Sequence, residues 1–549
     1  MPGTILNFAG FLLKLGLIPM LLALFLEGDM RSFPSTTEFL GFFFLSGAGL
    51  MLLIFTEVIL LRFGDGRSHF SRSPSRLVDV GMFARTRHPY HWYLSIYHFG
   101  IFTYFFGFGP LTIGLASAFF IIGLVFLILF QERFLEQALG ERYVAYKSET
   151  PGWYWKLKIP ERQKVMLLPQ VVWVFGRVVF KRWYRIHVKG EQNIPHDKSF
   201  IIIANHESYI DPFLFGPFIP FEIQFVTTAD VFTTPFMRFI LKGVGTFPMR
   251  RHRQDLRSIR TMIRFIREGR TVCIFPEGGR SFDGTPLTIV DETIKLIQKC
   301  QVPILPVQLS GAYELWPRWA PNRRRTQIIA DFKPMIPVED QKDIKELRAH
   351  MQAAIFPTDR EFTPTRSRFM VKGLDKFLWA CVDCLTHDSI HTKSHDSIFC
   401  SNCGSEWRMD KTYDLVKETD KTSLSIIEWN RKIDSTIAGN PLGDSSEPFL
   451  ATDEKPYLRA AIEGYDTDKG ESLSNDLELV LTDKRFILVR SNEIFHSWDL
   501  DAVTVLTLDY AHAVSIGYGG VRHRFLLDPC DIPFKWRAYF QVLTGNVAN

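Results

Sequence analysis

The segment ANHESYIDP, residues 204–212, sets His206 five positions before Asp211 at what reads as a strand-to-loop junction. Histidine is the side chain best able to take a proton near neutral pH, and a carboxylate on its other ring nitrogen fixes tautomer and orientation. No GxSxG elbow accompanies His206 to supply a serine nucleophile, and Ser208 would need its own support. A base here therefore acts on a hydroxyl that arrives with the substrate. On spacing alone the pair also reads as two polar residues in a solvated loop. A second block changes the balance. FPEGGRSFDG, residues 275–284, follows the buried run TVCI and offers Glu277, the glycine pair Gly278 and Gly279, Arg280 and Ser281 in one turn. Tight glycines let backbone N–H groups approach an oxyanion, and arginine recognises phosphate through a bidentate fork. Between the two blocks, GTFPMRR at 245–251 adds Arg250 at a strand end, and VPILPV at 302–307 is a proline-bounded buried strand.

These groups need elements to hold them. From residue 200 the pattern is soluble α/β. Short buried runs, FIIIAN, TVCIFP, VPILPVQL and QIIADF, alternate with helical stretches at 255–269 and 291–300. The four blocks, in this order, resemble the glycerolipid acyltransferase family typified by lysophosphatidic acid acyltransferases, over about residues 183–337. That resemblance implies a mixed α/β sheet flanked by helices. It implies that His206 deprotonates an acceptor hydroxyl, that Asp211 orients it, and that the hydroxyl attacks an acyl thioester without an acyl-enzyme. It also implies that Asn205, Arg250, Glu277, Gly278, Gly279, Arg280 and Ser281 form the acceptor's binding site, with acyl-CoA or acyl-carrier protein as donor. Two departures bear on the acceptor: Gly279 stands where the family has threonine, and IVDE at 289–292 replaces its FKxG segment. The helix at 255–269 aligns Arg257, Arg260, Arg264 and Arg267 on one face, either solvated or against CoA phosphates or lipid headgroups.

Composition points to a membrane. Hydrophobic residues make up 46% of 549 and aromatics 14%, with 49 Phe, yet mean hydropathy is only +0.02, so the apolar excess is local. Residues 6–26 and 39–61 are each long enough to span a bilayer, which takes about 20 apolar residues. Residues 92–130, broken at GFGP (107–110), read as a helical hairpin, giving about four spans. The start lacks a basic n-region and a cleavage site, which argues against a removed signal peptide. Arg62, Arg67, Arg72, Arg76, Arg85 and Arg87 between the second and third apolar segments put that loop, and all later domains, on the cytoplasmic side. The net charge of +5 suits an anionic membrane surface or a phosphorylated substrate and falls short of a nucleic-acid signature, so no nucleic-acid partner is expected. Residues 156–189 carry nine Lys or Arg and one acid, Glu161. They read as a basic interfacial segment or a core helix with a solvated basic flank.

Within the membrane half, TRHPYHWYL (86–94) and QERFLEQALGERYVAYKSETPGWYW (131–155) look like the isoprenylcysteine carboxyl methyltransferase and phospholipid methyltransferase group. That likeness implies S-adenosylmethionine at the cytoplasmic face, contacted by Arg87, His88 and Glu132. Here too the chain departs from the pattern: His91 replaces a tyrosine, Tyr93 a glycine, and Gln131 a glutamate. A membrane anchor that keeps the fold is the other reading.

Cys381, Cys384, Cys400 and Cys403 have the C-x2-C…C-x2-C spacing of a four-cysteine zinc ribbon, with Gly404 in the second knuckle. His387, His391 and His395 fall in the loop between the pairs as substitute ligands or ribbon-tip residues. LELVLTDKRFILVR, within an alternating tail and ahead of the helix at 534–543, resembles pleckstrin-homology-like or GRAM-type modules, which implies a seven-stranded curved sheet, a closing helix, and lipid-headgroup or protein binding.

The expected chain is multidomain. A transmembrane all-α methyltransferase-like domain (1–155) leads through a basic interfacial segment (156–190) to the α/β acyltransferase domain (191–340). A helix and linker (341–376), a zinc ribbon (377–410), a linker region (411–454) and a mainly-β domain (455–549) follow. The expected function is acyl transfer to a lysophosphatidic acid-like acceptor by an integral membrane enzyme, with membrane lipids as partners, at a bacterial inner membrane. The alternatives are an S-adenosylmethionine-dependent membrane methyltransferase, or a non-catalytic lipid-binding scaffold.

Overall fold

The computed structural model describes residues 36–549 apart from 65–75, 196–198, 229–233, 242–244, 250–255, 358–363, 438–448, 510–512, 546–549 and the short gaps 153, 161–162, 164, 166, 221, 236–237, 240, 452, 468–469, 492 and 529–530. The expected span at 6–26 and the candidate residue Arg250 lie outside the described residues.

In the N-terminal half, α1 (Thr36–Phe63) is one apolar run, and α2 (Pro89–Phe106) packs along it. Gly49 lies against the Tyr97 backbone and Gly100 against Ser46, so a side chain at either would push the helices apart. At Gly107, with φ 74°, the chain turns into α3 (Pro110–Phe126), which continues through a π turn, Leu127–Gln131, into α4 (Glu132–Leu139). The hairpin hinges where the GFGP break predicts. Two described helices, Phe42–Phe63 and Pro110–Leu139, are long and apolar enough to cross a membrane, against about four expected. The run of α2 is diluted by His91, Ser95, His98 and Thr103, the histidines and the threonine being buried. A short helix, α5 (Glu141–Glu149), follows.

Helix α6 (Leu167–Trp183) joins the two halves. One face buries Trp173 against Phe213 and Phe225, whereas Phe175 and Trp183 are 68% and 65% exposed, beside Lys181 and Arg182. Exposed aromatics thus stand next to cations on one face, while the other face packs into the α/β core. Arg62, at the end of α1, reaches into the α/β domain. Its guanidinium donates to the carbonyls of Gly216 at 3.1 Å and Pro217 at 3.2 Å, and also to that of Ile219, and it lies over the Trp173 ring. The apolar helix and the soluble domain are thereby pinned at a buried charge.

The α/β domain has strands β1 (Ile186–Lys189), β2 (Ile201–Ala204), β3 (Ile223–Thr228), β4 (Thr246–Met249), β5 (Thr271–Ile274), β6 (Ile304–Ser310) and β7 (Ile328–Phe332). They form one mixed sheet in the order β1-β7-β6-β2-β5-β3-β4, antiparallel only between β6 and β7. The central β2 and β5 are buried at every residue, as unalternating apolar runs require. Following β2 comes the short helix α7 (Asp211–Phe215). Helices α8 (Leu256–Arg267) and α9 (Asp291–Cys300) cover one face, while the one-turn α10 (Ala312–Leu315) follows β6 beneath the other. Helix α11 (Ile344–Ile355), capped by Asp343 on the N–H groups of Lys345 and Glu346, completes the first face. Arg257, Arg260, Arg264 and Arg267 are all exposed along α8.

Beyond residue 376, strands β8 (Ile390–Thr392), β9 (Ser397–Cys400), β10 (Glu406–Met409), β11 (Asp414–Lys417) and β12 (Ser423–Ser425) make an antiparallel sheet in which each strand pairs with the next. Helix α12 (Ile426–Ile437) buries Trp429, Ile433 and Ile437. Residues 414–437, expected as part of a polar linker, are therefore folded. Their apolar side chains are few but stand every fourth residue on one helix face, which low average hydropathy conceals. The tail is a seven-stranded antiparallel sheet of β13 (Pro456–Thr467), β14 (Ser472–Thr482), β15 (Arg485–Arg490), β16 (Glu493–Asp499), β17 (Val503–Asp509), β18 (Ala513–Tyr518) and β19 (Val521–Leu527), closed by α13 (Pro533–Leu543). One core runs from Phe282, Tyr313 and Trp319 of the α/β domain through Trp407 and Trp429 to Trp536 in the tail.

Candidate active site

Strand β2 ends at Ala204, and α7 begins at Asp211, so the intervening loop folds the carboxylate back onto the histidine. His206 Nδ1 lies 2.8 Å from Asp211 Oδ2, and the same oxygen accepts the backbone N–H groups of Glu207 at 2.7 Å and Ser208 at 2.9 Å. An ionised carboxylate only accepts, so beside it Nδ1 carries the proton and Nε2 the lone pair. The His206 side chain is 19% exposed and that of Asp211 not at all. The imidazole also stacks on Phe275, with centroids 4.1 Å apart and planes at 23°. Burial pushes the Asp211 carboxyl up to about 7, opposed by the two backbone donors and the Arg280 charge.

The sign of that shift gives a pH prediction. Asp211 orients His206 only when ionised, so the rate should fall as pH drops through about 7. Asp211→Asn keeps an accepting oxygen but no charge. It should lower kcat by about 10²-fold or more and flatten this acid limb. Above pH 7 it should also raise the melting temperature, because the amide removes a buried charge; a pH–rate series with thermal melts checks both.

Several residues expected around the ligand make hydrogen bonds within the protein. Glu277 is buried, and its two oxygens accept the N–H groups of His206 at 2.6 Å and Leu287 at 2.7 Å. It ties the FPEGGRS turn to the loop that carries His206, with both oxygens engaged by backbone N–H groups. Burial pushes it up to about 8. Asn205 bridges to Leu309 through both a donated and an accepted bond, at 2.9 and 2.7 Å. Buried Ser281 donates its N–H to the His206 carbonyl at 2.8 Å, and its hydroxyl accepts from Gly284. Glu207, which sequence reasoning passed over, accepts from Asn205 at 3.2 Å and from the Tyr313 N–H at 3.0 Å. Its adjacency to the histidine was the available signal.

Gly278, Gly279 and Arg280 follow Glu277 in the same turn. Gly278 is exposed with φ +67°, where a side chain is strained. A Cβ added at Gly279 would meet only Leu287, at 3.4 Å, an ordinary van der Waals contact. The Arg280 guanidinium carbon lies over the Tyr209 ring, 3.2 Å from its centroid.

Two further expected sites come together. Glu132 Oε1 accepts from Arg87 and His88, both at 2.9 Å, and Oε2 lies 3.1 Å from Lys147. The carboxylate is thus engaged by three basic side chains. Tyr93, where the methyltransferase pattern has glycine, is buried with its ring near Trp155. Residues already paired, with a ring in the place of close approach, do not fit S-adenosylmethionine. The four cysteine Sγ atoms lie within 4.8 Å of one another, with Cys381–Cys403 and Cys384–Cys400 both at 3.7 Å. Tetrahedral thiolates at about 2.3 Å from a Zn²⁺ would stand roughly 3.8 Å apart, whereas a disulfide needs about 2.05 Å. The set fits zinc. His387 is outside it, hydrogen-bonded to the Tyr539 hydroxyl.

With this geometry in view, residues 185–310 match the protein-family model described as Acyltransferase. The 1-acyl-sn-glycerol-3-phosphate acyltransferase of Bacillus subtilis (strain 168) is 28% identical over 127 residues, 23% of this chain and 63% of that protein. Enzymes of the same name from Borreliella burgdorferi and Saccharomyces cerevisiae are 34% and 28% identical over 131 and 157 residues, each half covered at 51%. The crystal structure of the 1-acyl-sn-glycerophosphate acyltransferase PlsC from Thermotoga maritima shares 25% identity, covering 34% of this chain and 77% of that one, with a TM-score of 0.32. The chain spans less than two thirds of the length of these curated relatives. It carries an acyltransferase domain, with large flanking regions that these matches leave untouched.

Proposed function

We propose that this protein transfers an acyl chain from a thioester, acyl-CoA or acyl-carrier protein, to the free hydroxyl of a lysophosphatidic acid-like acceptor. The observation that carries this reading is the His206–Asp211 pair, set at 2.8 Å inside the segment that matches the acyltransferase family. His206 Nε2 takes the hydroxyl proton as the oxygen attacks the thioester carbonyl carbon. The C–O bond forms, the C–S bond breaks, and the thiolate leaves with the proton His206 had taken. Arg280 holds the acceptor phosphate. Asp211 keeps the ring oriented, and Glu277, Asn205, Glu207 and Ser281 hold the loops that carry it.

Around this centre, the apolar helices, with α6 lying on the headgroup layer, keep the site at the membrane where its acceptor resides. The soluble domains face the cytoplasm, at the inner membrane if the chain is bacterial. The Arg87–His88–Glu132 cluster braces this anchor. Cys381, Cys384, Cys400 and Cys403 hold one Zn²⁺, whose contribution is structural. The tail is a pleckstrin-homology-like or GRAM-like module.

The test is to incubate purified protein in detergent with labelled acyl-CoA and lysophosphatidic acid. Label is expected in phosphatidic acid. A folded protein that acylates neither lysophosphatidic acid nor any other lysolipid, from either donor, would overturn the proposal.

A further inference from the structure

A cavity of about 950 Å³ opens beside the active site, where the α/β domain, the linker, the ribbon and the tail meet. Tyr209 and Arg280 form its wall toward the catalytic loop. Arg318, Lys372, Lys376 and Lys393 also line it, against one carboxylate, Asp375. Aromatic surface comes from Trp316, Trp319, Phe369 and Phe534. Its walls thus draw on residues from 209 to 534, most of them beyond the segment that matches the acyltransferase family. It exists only because the ribbon and tail dock: Arg318 donates to the Leu508 carbonyl at 2.7 Å, and Phe534 packs edge-on against Phe282 and Phe377.

The volume lies at the upper end of the 300–1,000 Å³, roughly, that ligand sites enclose, more than a lone phosphate monoester needs. Such a space is on the order of 10 Å across, about one Debye length at 0.1 M ionic strength, so its cations act on an occupant together. Lys393 is already joined to Glu406, which still leaves the wall net positive. Cations in excess, with aromatic faces between them, select an anionic group that also offers a ring or carbon surface.

We propose that the acyl acceptor carries a headgroup beyond its glycerol phosphate, one with at least one further negative charge, and that this cavity is its subsite. The inference rests on the reading that Arg280 holds the acceptor phosphate, since the cavity begins at that side chain and extends away from it. The acceptor is then an anionic lysophospholipid with a phosphodiester-linked, phosphorylated headgroup, with lysophosphatidic acid a smaller and weaker substrate.

Two measurements on the full-length protein in detergent test this. In the first, glycerophosphoinositol 4-phosphate, a soluble headgroup without an acyl chain, is titrated calorimetrically against glycerol 3-phosphate at fixed salt. It should bind at least tenfold more tightly, and Lys372→Ala/Lys376→Ala should remove most of that difference. Equal binding of the two probes, or no effect of the double variant, overturns the subsite whether or not the protein turns over. In the second, KM is compared for lysophosphatidylinositol 4-phosphate and lysophosphatidic acid. The double variant should raise the first severalfold and leave the second unchanged. A rise in KM for acyl-CoA instead would assign the cavity to the donor and contradict the proposal. Because binding is read without catalysis, failure of acyl transfer alone counts against the proposed function and not against the subsite.

Discussion

His206→Ala should lower kcat for acyl transfer by about 10²–10⁴-fold while the protein stays folded and keeps its affinity for the acceptor. The size follows from the described residues of the site offering no substitute base. Asp211 already accepts three hydrogen bonds on one oxygen, and both Glu277 oxygens are taken by backbone N–H groups. Folding should survive because the ring is partly exposed and its main apolar contact is one face against Phe275. The loop is held by backbone groups that alanine keeps: the His206 N–H to Glu277 and the His206 carbonyl to the Ser281 N–H. Initial rates, thermal melts and acceptor binding on one preparation separate the chemical role from a packing role. A packing role would lower the melting temperature and raise KM with kcat largely kept.

Stripping zinc should do the reverse, unfolding the C-terminal half and disabling the active site indirectly. Structural Zn²⁺ in small cysteine modules contributes an apparent binding free energy of about 10–16 kcal/mol at pH 7, all of it coupled to folding. Here the ribbon does not stand apart, because its buried Cys381 and Cys400 belong to the core that also holds Phe282, Trp319 and Trp536. Phe282 follows Ser281 of the FPEGGRS turn directly, and the Arg537 guanidinium of the closing helix sits 3.7 Å from its ring centroid. Loosening the ribbon therefore removes the outer support of the turn that carries Arg280. Chelator treatment or Cys381→Ser/Cys384→Ser should expose residues beyond about 357 to limited proteolysis and cut acyl transfer at least tenfold. Elemental analysis should find one zinc per chain in the untreated protein. A metal-free protein with an unchanged melt and unchanged turnover would refute this coupling.

Much of the centre was legible in the sequence because its signals are local. The unalternating runs FIIIAN and TVCIFP read as buried strands, and they became the two fully buried central ones. The His206–Asp211 spacing became a hydrogen bond because α7 starts at the aspartate. The GFGP break became the hinge of the helical pair, and the cysteine spacing became a cluster of zinc-like dimensions. What escaped depends on contacts distant in sequence. Glu277 and Ser281 resembled ligand residues by motif, yet their partners are the backbone of a loop some 70 positions away. Arg62 counted as one more charge in a basic loop, whereas it seals a helix onto carbonyls 154 or more residues further along. Residues 414–437 looked like a linker because only the fourfold spacing of Trp429, Ile433 and Ile437 marks the buried face. The cavity beside Arg280, whose lining comes from stretches scattered between residues 209 and 534, has no local signature at all.

The decisive measurement is a rapid-quench experiment with an acyl-CoA labelled in its acyl chain, run with and without the lysolipid acceptor, following label in lipid and in protein separately. If the nucleophile is the acceptor's own hydroxyl activated by His206, label appears in diacyl lipid only when acceptor is present. Protein carries none at any time, and His206→Ala abolishes the lipid signal. Label accumulating on the protein before the acceptor is added, or lipid labelling that survives loss of His206, would contradict it.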